Sequence, residues 1–194
     1  MRQLTRGQLS VVALPDVSHY VTMIYGRTYE GCSSTLDKRR TQHYRCVIVI
    51  PSFQPDGTLP VGVHWAEWPE FEVRYGSNPV RVKQLAGLRE ALRLLKSAGC
   101  RTVFVDGSFV TAVAFPGDFD ACWDIRGVDS RLLDPVFLDF RNGRAAQKAR
   151  FLGEFFPAQA PERRSGKVFL DFFQVDKRTG GNKGIVAIDL GRLP

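Results

Sequence analysis

The chain has 194 residues, 44% of them hydrophobic, which supplies one well-buried domain and leaves too little length for two. Its formal charge of +7 and pI near 9.5 favour a polyanionic partner: a nucleotide, tRNA or another nucleic acid. No run approaches the roughly 20 apolar residues of a membrane span, Leu9-Ser-Val-Val-Ala-Leu14 is too short for a signal core, and Cys32, Cys46, Cys100 and Cys122 form no Cys-x-x-Cys pair. A cytoplasmic protein with buried thiols and without a zinc site is expected. His19, His43 and His64 lie far from the acidic residues discussed below, so they give no support to a histidine-based centre.

Residues 1–46 hold short apolar runs at Val11 to Leu14 and Val21 to Tyr25, then the polar, basic stretch from Cys32 to Gln42. They read as an N-terminal extension of unknown role ahead of a domain spanning 47–194. Tyr44 to Ile50 suits a strand ended by Pro51, and Pro55-Asp-Gly-Thr-Leu-Pro60 is turn chemistry. A short helix is predicted within Trp65 to Tyr75, with Trp68, Phe71 and Tyr75 on one side as core aromatics. Asn78-Pro79 then supplies an N-cap and first helical position, and Leu85, Leu88, Leu92 and Leu95 repeat at helical spacing until Gly99. The helix from Pro79 to Ala98 carries Arg81, Lys83, Arg89, Arg93 and Lys96 on its polar side.

Arg101-Thr-Val-Phe-Val-Asp106 is β-branched and aromatic and ends in Gly107-Ser108, as a buried strand would. A short helix between Ser108 and Phe115 would offer backbone N–H groups to phosphate oxygens. Asp118-Phe-Asp-Ala-Cys-Trp-Asp124 reads as the next strand. There Asp118 and Asp120 share a face with Cα atoms roughly 7 Å apart, a spacing that suits two carboxylates on one divalent ion or a pair, while Phe119 points to the core. A bare Asp-x-Asp occurs by chance in roughly one chain in two or three of this length, and the preceding Gly-Ser on an apolar strand lowers that to about one in a hundred.

Downstream, Leu133 to Phe155 is predicted to be a second helix, with Val136, Phe140, Leu152 and Phe155 inward and Arg141, Arg144, Lys148 and Arg150 outward. Ala158 to Gly166 reads as a loop. Lys167-Val-Phe-Leu-Asp171-Phe-Phe-Gln-Val175 reads as a strand with one acid in an apolar run. Burying that carboxylate unpaired would cost several kcal/mol, so Asp171 is the candidate third acid, with Asp139 and Asp124 as competitors. The closing segment from Thr179 to Leu190 gives a Gly-rich turn with Lys183 and a final strand.

The set Gly107, Ser108, Asp118 and Asp120 resembles the fingerprint of the nucleotidyltransferase superfamily. The runs Val105 to Thr111, Pro116 to Asp124 and Lys183 to Ile188 look like those of small, stand-alone bacterial members of toxin–antitoxin or defence type. The resemblance covers Ile50 to the C-terminus. It implies an α/β, polymerase-beta-like fold with a small mixed sheet flanked by helices. It also implies Mg²⁺ (or Mn²⁺) on Asp118, Asp120 and a third acid on a later strand, a role that Asp171 suits, with Gly107 and Ser108 binding a nucleoside triphosphate; Lys183 in the Gly-rich turn is a further candidate to approach the leaving pyrophosphate. The implied activity is transfer of a nucleoside monophosphate to an acceptor hydroxyl, with tRNA or other RNA as acceptor and a cognate antitoxin as protein partner. The rival readings are a catalytically inactive nucleotide- or RNA-binding module of the same fold and a kinase-like phosphotransferase.

Overall fold

Apolar side chains two residues apart put five short segments into strands in the computed structural model, which describes residues 50–194. The expected N-terminal extension, nearly all of the strand at 44–50, and Cys32, Cys46, His19 and His43 lie outside the described residues. The strands are β1 (Gly62–Ala66), β2 (Thr102–Asp106), β3 (Phe119–Trp123), β4 (Gly153–Pro157) and β5 (Gly184–Asp189), in the spatial order β1-β5-β2-β3-β4. β5 and β3 run antiparallel to β2, while the two outer pairs, β1 with β5 and β4 with β3, are parallel. The fold is therefore mixed α/β, and Ile50–Pro194 form one unit.

Strand alternation sorts the sheet into two unlike faces. Val103, Val105, Phe119, Ala121, Trp123, Phe155, Val186 and Ile188 point to one face, where α1 (Trp68–Tyr75), α2 (Pro79–Ser97) and α3 (Ala145–Phe151) complete the main core. Fully burying one such side chain, Phe119 for example, contributes about 1.5–3 kcal/mol. The cap and stop of α2 work as their residues dictate: Asn78 Oδ1 accepts the Arg81 N–H at 3.1 Å, and Leu85, Leu88, Leu92 and Leu95 are all buried. Trp68, Phe71 and Tyr75 of α1 are core aromatics, as their spacing predicts. Cys100 and Cys122 are buried free thiols, and burial pushes the Cys100 thiol up to about 11.

Phe104, Cys122, Phe156, Ile185 and Ala187 point to the other face. Among the described residues a five-residue helix, α4 (Phe169–Phe173), covers them, with Phe169 and Phe173 placing their ring centres 4.4 and 5.2 Å from that of Phe156. The acidic residues lie two positions farther along β2, β3 and β4, with Asp106 buried and Asp120 and Glu154 half-buried.

Two predicted elements are corrected. The helix expected over 133–155 is a 3₁₀ turn at Pro135–Leu138, a second turn at 141–143, the short α3 and then β4. Asn142, Gly143 and Arg144 all take left-handed conformations, with φ of 47°, 60° and 59°, and Leu152 at 62° ends α3, so α-helix is confined to Ala145–Phe151. Gly153 follows because a Cβ there would meet the Phe119 ring at 2.4 Å. The strand expected over 167–175 contains α4 instead, since its paired phenylalanines lie across the open sheet face rather than inside it. Among the described residues no helix is long and apolar enough to cross a membrane.

Candidate active site

The acids converge through strand register. Asp106 lies opposite Asp120 across the antiparallel β2–β3 pair, and Asp120 lies beside Glu154 across the parallel β3–β4 pair. In-register neighbours share a face and stand about 5 Å apart at Cα. Each acid is also two residues from an apolar residue under α4: Asp106 from Phe104, Asp120 from Cys122 and Glu154 from Phe156. Carboxylates thus continue the apolar rows of this sheet face. Asp118, just before β3, is two residues from Asp120 and joins the same face, with its side chain 47% exposed against 15% for Glu154.

Crowding raises the cost of ionising the middle acid. Burial, with like charges on Asp106, Asp118 and Glu154, pushes the Asp120 carboxyl up to about 6, and Lys177 pulls against it. Burial also raises Asp106, although Lys183 Nζ donates to its Oδ1 at 2.5 Å. On the opposite flank Lys148 Nζ stands 2.5 Å from Glu154 Oε1 and 3.8 Å from Asp118 Oδ2, and Arg144 Nη1 is 3.5 Å from Glu154 Oε2. Lysines on two sides offset the repulsion. Among the described residues, no three carboxylate, imidazole or thiol side chains are drawn together as a ready-made metal site. The donor set of Asp118, Asp120 and Glu154 nonetheless fits a hard divalent cation, since it offers carboxylate oxygens from one sheet face.

The loop between the Gly-Ser turn and Asp118 is held from α2. Arg81, which the helical pattern assigns to the solvated side, is buried. Its guanidinium donates to the carbonyl oxygens of Phe109, Thr111, Val113 and Ala114 at 2.5–3.3 Å. Asn78 Nδ2 reaches the Ala114 carbonyl at 2.7 Å, and Gln84 Nε2 reaches that of Pro116 at 2.9 Å. Polar groups on one helix thereby satisfy a loop that has no ladder of its own. Gly107 has φ of 83°, and a Cβ there would lie 3.1 Å from Asp120 N and 3.3 Å from its Oδ2. Glycine lets the turn press against the central acid.

Some expected site residues fall elsewhere. Asp171 is exposed on α4, and the charges acting most strongly on Asp120 are Lys177, Asp106, Asp118 and Glu154. The acids on the strands beside Asp120 are Asp106 and Glu154. Asp139 is bound to Arg141, and Asp124 is bound to Arg126 at the far end of β3, roughly 13 Å along the strand from Asp120. Lys183 does stand at the acid cluster, engaged with Asp106. The helix expected between Ser108 and Phe115 is only a single 3₁₀ turn, Ser108–Val110. The aromatic pair in Gly153-Glu-Phe-Phe-Pro157, strand-type composition after a glycine, is the signal that could have revealed Glu154, and the helical reading of 133–155 hid it.

Residues 51–189 match the model of a family of unknown function (DUF6932), and the chain belongs to that family. No curated protein and no solved structure matches the chain.

Proposed function

We propose that this member of the DUF6932 family is a metal-dependent nucleotidyltransferase of polymerase-beta-like fold, moving a nucleoside monophosphate from a nucleoside triphosphate to an acceptor hydroxyl. The observation that carries the reading is the register of β2, β3 and β4, which brings Asp120 and Glu154 side by side on the open sheet face. Asp118 is two residues away, and the Gly107-Ser108 turn touches Asp120. Asp118, Asp120 and Glu154 would hold Mg²⁺ or Mn²⁺, which when bound supplies the positive charge that the α-phosphate and the acceptor oxygen need.

The chain's own groups do the rest. Gly107 and Ser108 present the turn to the β- and γ-phosphates, with Lys183 and Lys177 as nearby cations. The acceptor oxygen forms a new bond to the α-phosphorus as the bond to the β-phosphate oxygen breaks, and pyrophosphate departs. Glu154, on the flank away from Asp106, takes the acceptor's proton. Charge and resemblance together favour RNA, with the 3′ end of tRNA as the preferred acceptor, and a cognate antitoxin would restrain the activity in the cell.

The test is incubation of wild type, Asp118→Ala/Asp120→Ala and Glu154→Gln with each α-³²P-labelled nucleoside triphosphate, Mg²⁺ and total tRNA, resolved on a denaturing gel with and without protease. Label on RNA that both variants lose supports the reading and identifies the nucleotide. Label on protein redirects the acceptor. A second reading, a binding module without turnover, draws on Lys148 lying between Asp118 and Glu154, and it predicts nucleotide binding with no label transferred.

A further inference from the structure

Arg126, Arg131, Arg141 and Arg178 each stand two residues after an aspartate and reach back to it, with Nη2 2.6–3.2 Å from the carboxylate. One segment departs from this habit. Between Pro161 and Val168, which face each other in an isolated antiparallel bridge, the chain turns through Glu162-Arg-Arg-Ser-Gly-Lys167. Here Glu162 Oε2 accepts the backbone N–H groups of Arg164 and Ser165 at 3.0 and 2.7 Å, and the Arg164 guanidinium is left outside. Arg163, Arg164 and Lys167 are all exposed, and none of their side chains forms an ion pair or hydrogen bond among the described residues. Three cations against one carboxylate leave the turn at +2. Its backbone is well tied: the Glu162 N–H donates to the Lys167 carbonyl at 2.7 Å and the Gly166 N–H to that of Glu162 at 3.1 Å. Gly166 supplies the left-handed residue, at φ 71°, that the turn requires. Cations on an ordered backbone lose less freedom when they meet an anion.

We infer that this turn is an RNA-docking element that holds backbone phosphates of the acceptor several nucleotides from its reacting end. Position sets that distance. Glu154 lies at the acids near the start of β4, and β4 ends at Pro157, about 10 Å farther along the strand. The base of the turn is tied at that far end, where Ala158 and Ala160 accept the N–H groups of Leu170 and Phe169. At about 3.4 Å of rise per nucleotide in a duplex strand, the interval is about three nucleotides or more. Composition selects the occupant. From Glu162 to Lys167 there is no apolar side chain, so the turn lacks the apolar core that a protein partner would bury, whereas phosphate contacts need only exposed cations. Its two arginines also present planar donor forks that match phosphate oxygens. The choice of RNA over DNA rests on the transferase reading, in which RNA is the acceptor, but the phosphate contact can be measured without turnover.

The experiment measures fluorescence anisotropy of a labelled RNA hairpin with full-length protein in KCl from about 50 to 200 mM, without nucleotide or divalent cation. A DNA hairpin of matched sequence and labelled poly-L-glutamate are run alongside. Wild type is compared with the turn variant Arg163→Gln/Arg164→Gln/Lys167→Gln. A control, Arg126→Gln/Arg131→Gln/Arg141→Gln, removes the same charge from arginines that are already paired. Each phosphate contact steepens the plot of log affinity against log salt by about 0.9. The turn variant should therefore lose about 2 to 3 from the slope, and the control should keep the slope of wild type. Across that salt range wild type then loses about twentyfold more affinity than the turn variant. Equal slopes for wild type and the turn variant, or the same loss in the control, overturn the proposal. Tighter binding of the DNA hairpin or of poly-L-glutamate than of RNA also overturns it, and reassigns the turn to DNA or to an acidic protein. Turn-dependent RNA binding by a wild type that transfers no label would uphold the docking element and count against the transferase reading.

Discussion

Asp120→Asn should stabilise the protein at pH 8 and lose most of that benefit at pH 4.5. The folded chain pushes the Asp120 carboxyl up to about 6, whereas an unfolded Asp titrates near 3.9. Between these values the folded state keeps a proton that the unfolded state has released, so this group's contribution to stability falls as pH rises and has been fully lost above the folded value. Over the one and a half pH units from 4.5 to 6, at about 1.4 kcal/mol per unit, the loss is about 2 kcal/mol. Asparagine keeps the shape and carries no such loss. The gain of the variant over wild type should therefore be about 2 kcal/mol larger at pH 8 than at pH 4.5, a shift of about 1 M in urea midpoint for an ordinary slope. The assay is urea unfolding followed by tryptophan fluorescence, in chelator, at both pH values. Adding Mn²⁺ at pH 8 should then stabilise wild type and not the variant. A variant less stable than wild type at pH 8, or a gain independent of pH, would refute the electrostatic account of the cluster.

Arg81→Met removes the donor shared by four loop carbonyls and should cost about 3 kcal/mol in urea unfolding; Arg81→Lys should not restore it, since one ammonium cannot span the oxygens of Phe109, Thr111, Val113 and Ala114. Gly107→Ala forces a side chain into left-handed backbone against Asp120 and should cost about 1–2 kcal/mol while cutting nucleotide labelling sharply; full labelling would show that the turn tolerates a Cβ. Glu154→Gln should lower labelling by about 10²-fold or more, whereas Asp171→Asn, altering an exposed residue of α4, should leave it at the wild-type level. Asp124 is held below the usual carboxylate range by its bonds to Arg126, so it stabilises the fold above about pH 4 and this is lost as pH falls through its lowered value; Asp124→Asn should flatten the acid limb of the stability curve.

Elements with a strong local code were legible before the structure. Asn78, Pro79 and the leucine spacing specify α2, and the β-branched run before Gly107 specifies β2. The failures share a cause in tertiary context. Residues 133–155 contain enough apolar side chains at helical spacing to suggest one helix, but Asp134 accepts the Val136 N–H at 3.0 Å and closes a 3₁₀ turn. The left-handed run at 142–144 then resets the chain direction. Residues 167–175 have the composition of a strand, yet their phenylalanines lie over Phe156 from the short helix α4. Asp118 and Asp120 were visible because two residues on one strand carry their own geometry. Glu154 was not, because its proximity to Asp120 exists only in the register of β3 with β4. Arg81 was assigned to solvent because helical periodicity cannot reveal that a loop thirty residues later will need its donors.

The same register explains why the acids coexist with lysines. Four carboxylates at one end of a sheet would repel one another, and the chain answers with Lys183 on Asp106 and Lys148 between Glu154 and Asp118, so lysines on two flanks balance the cluster. Lys183 has a buried partner and its side chain is 13% exposed, whereas Lys148 is 45% exposed. The pair at Asp106 is thus suited to permanence and the one at Glu154 to exchange. If Asp118, Asp120 and Glu154 hold a cation as proposed, Lys148, which is paired with two of them, is the group whose charge the cation would replace.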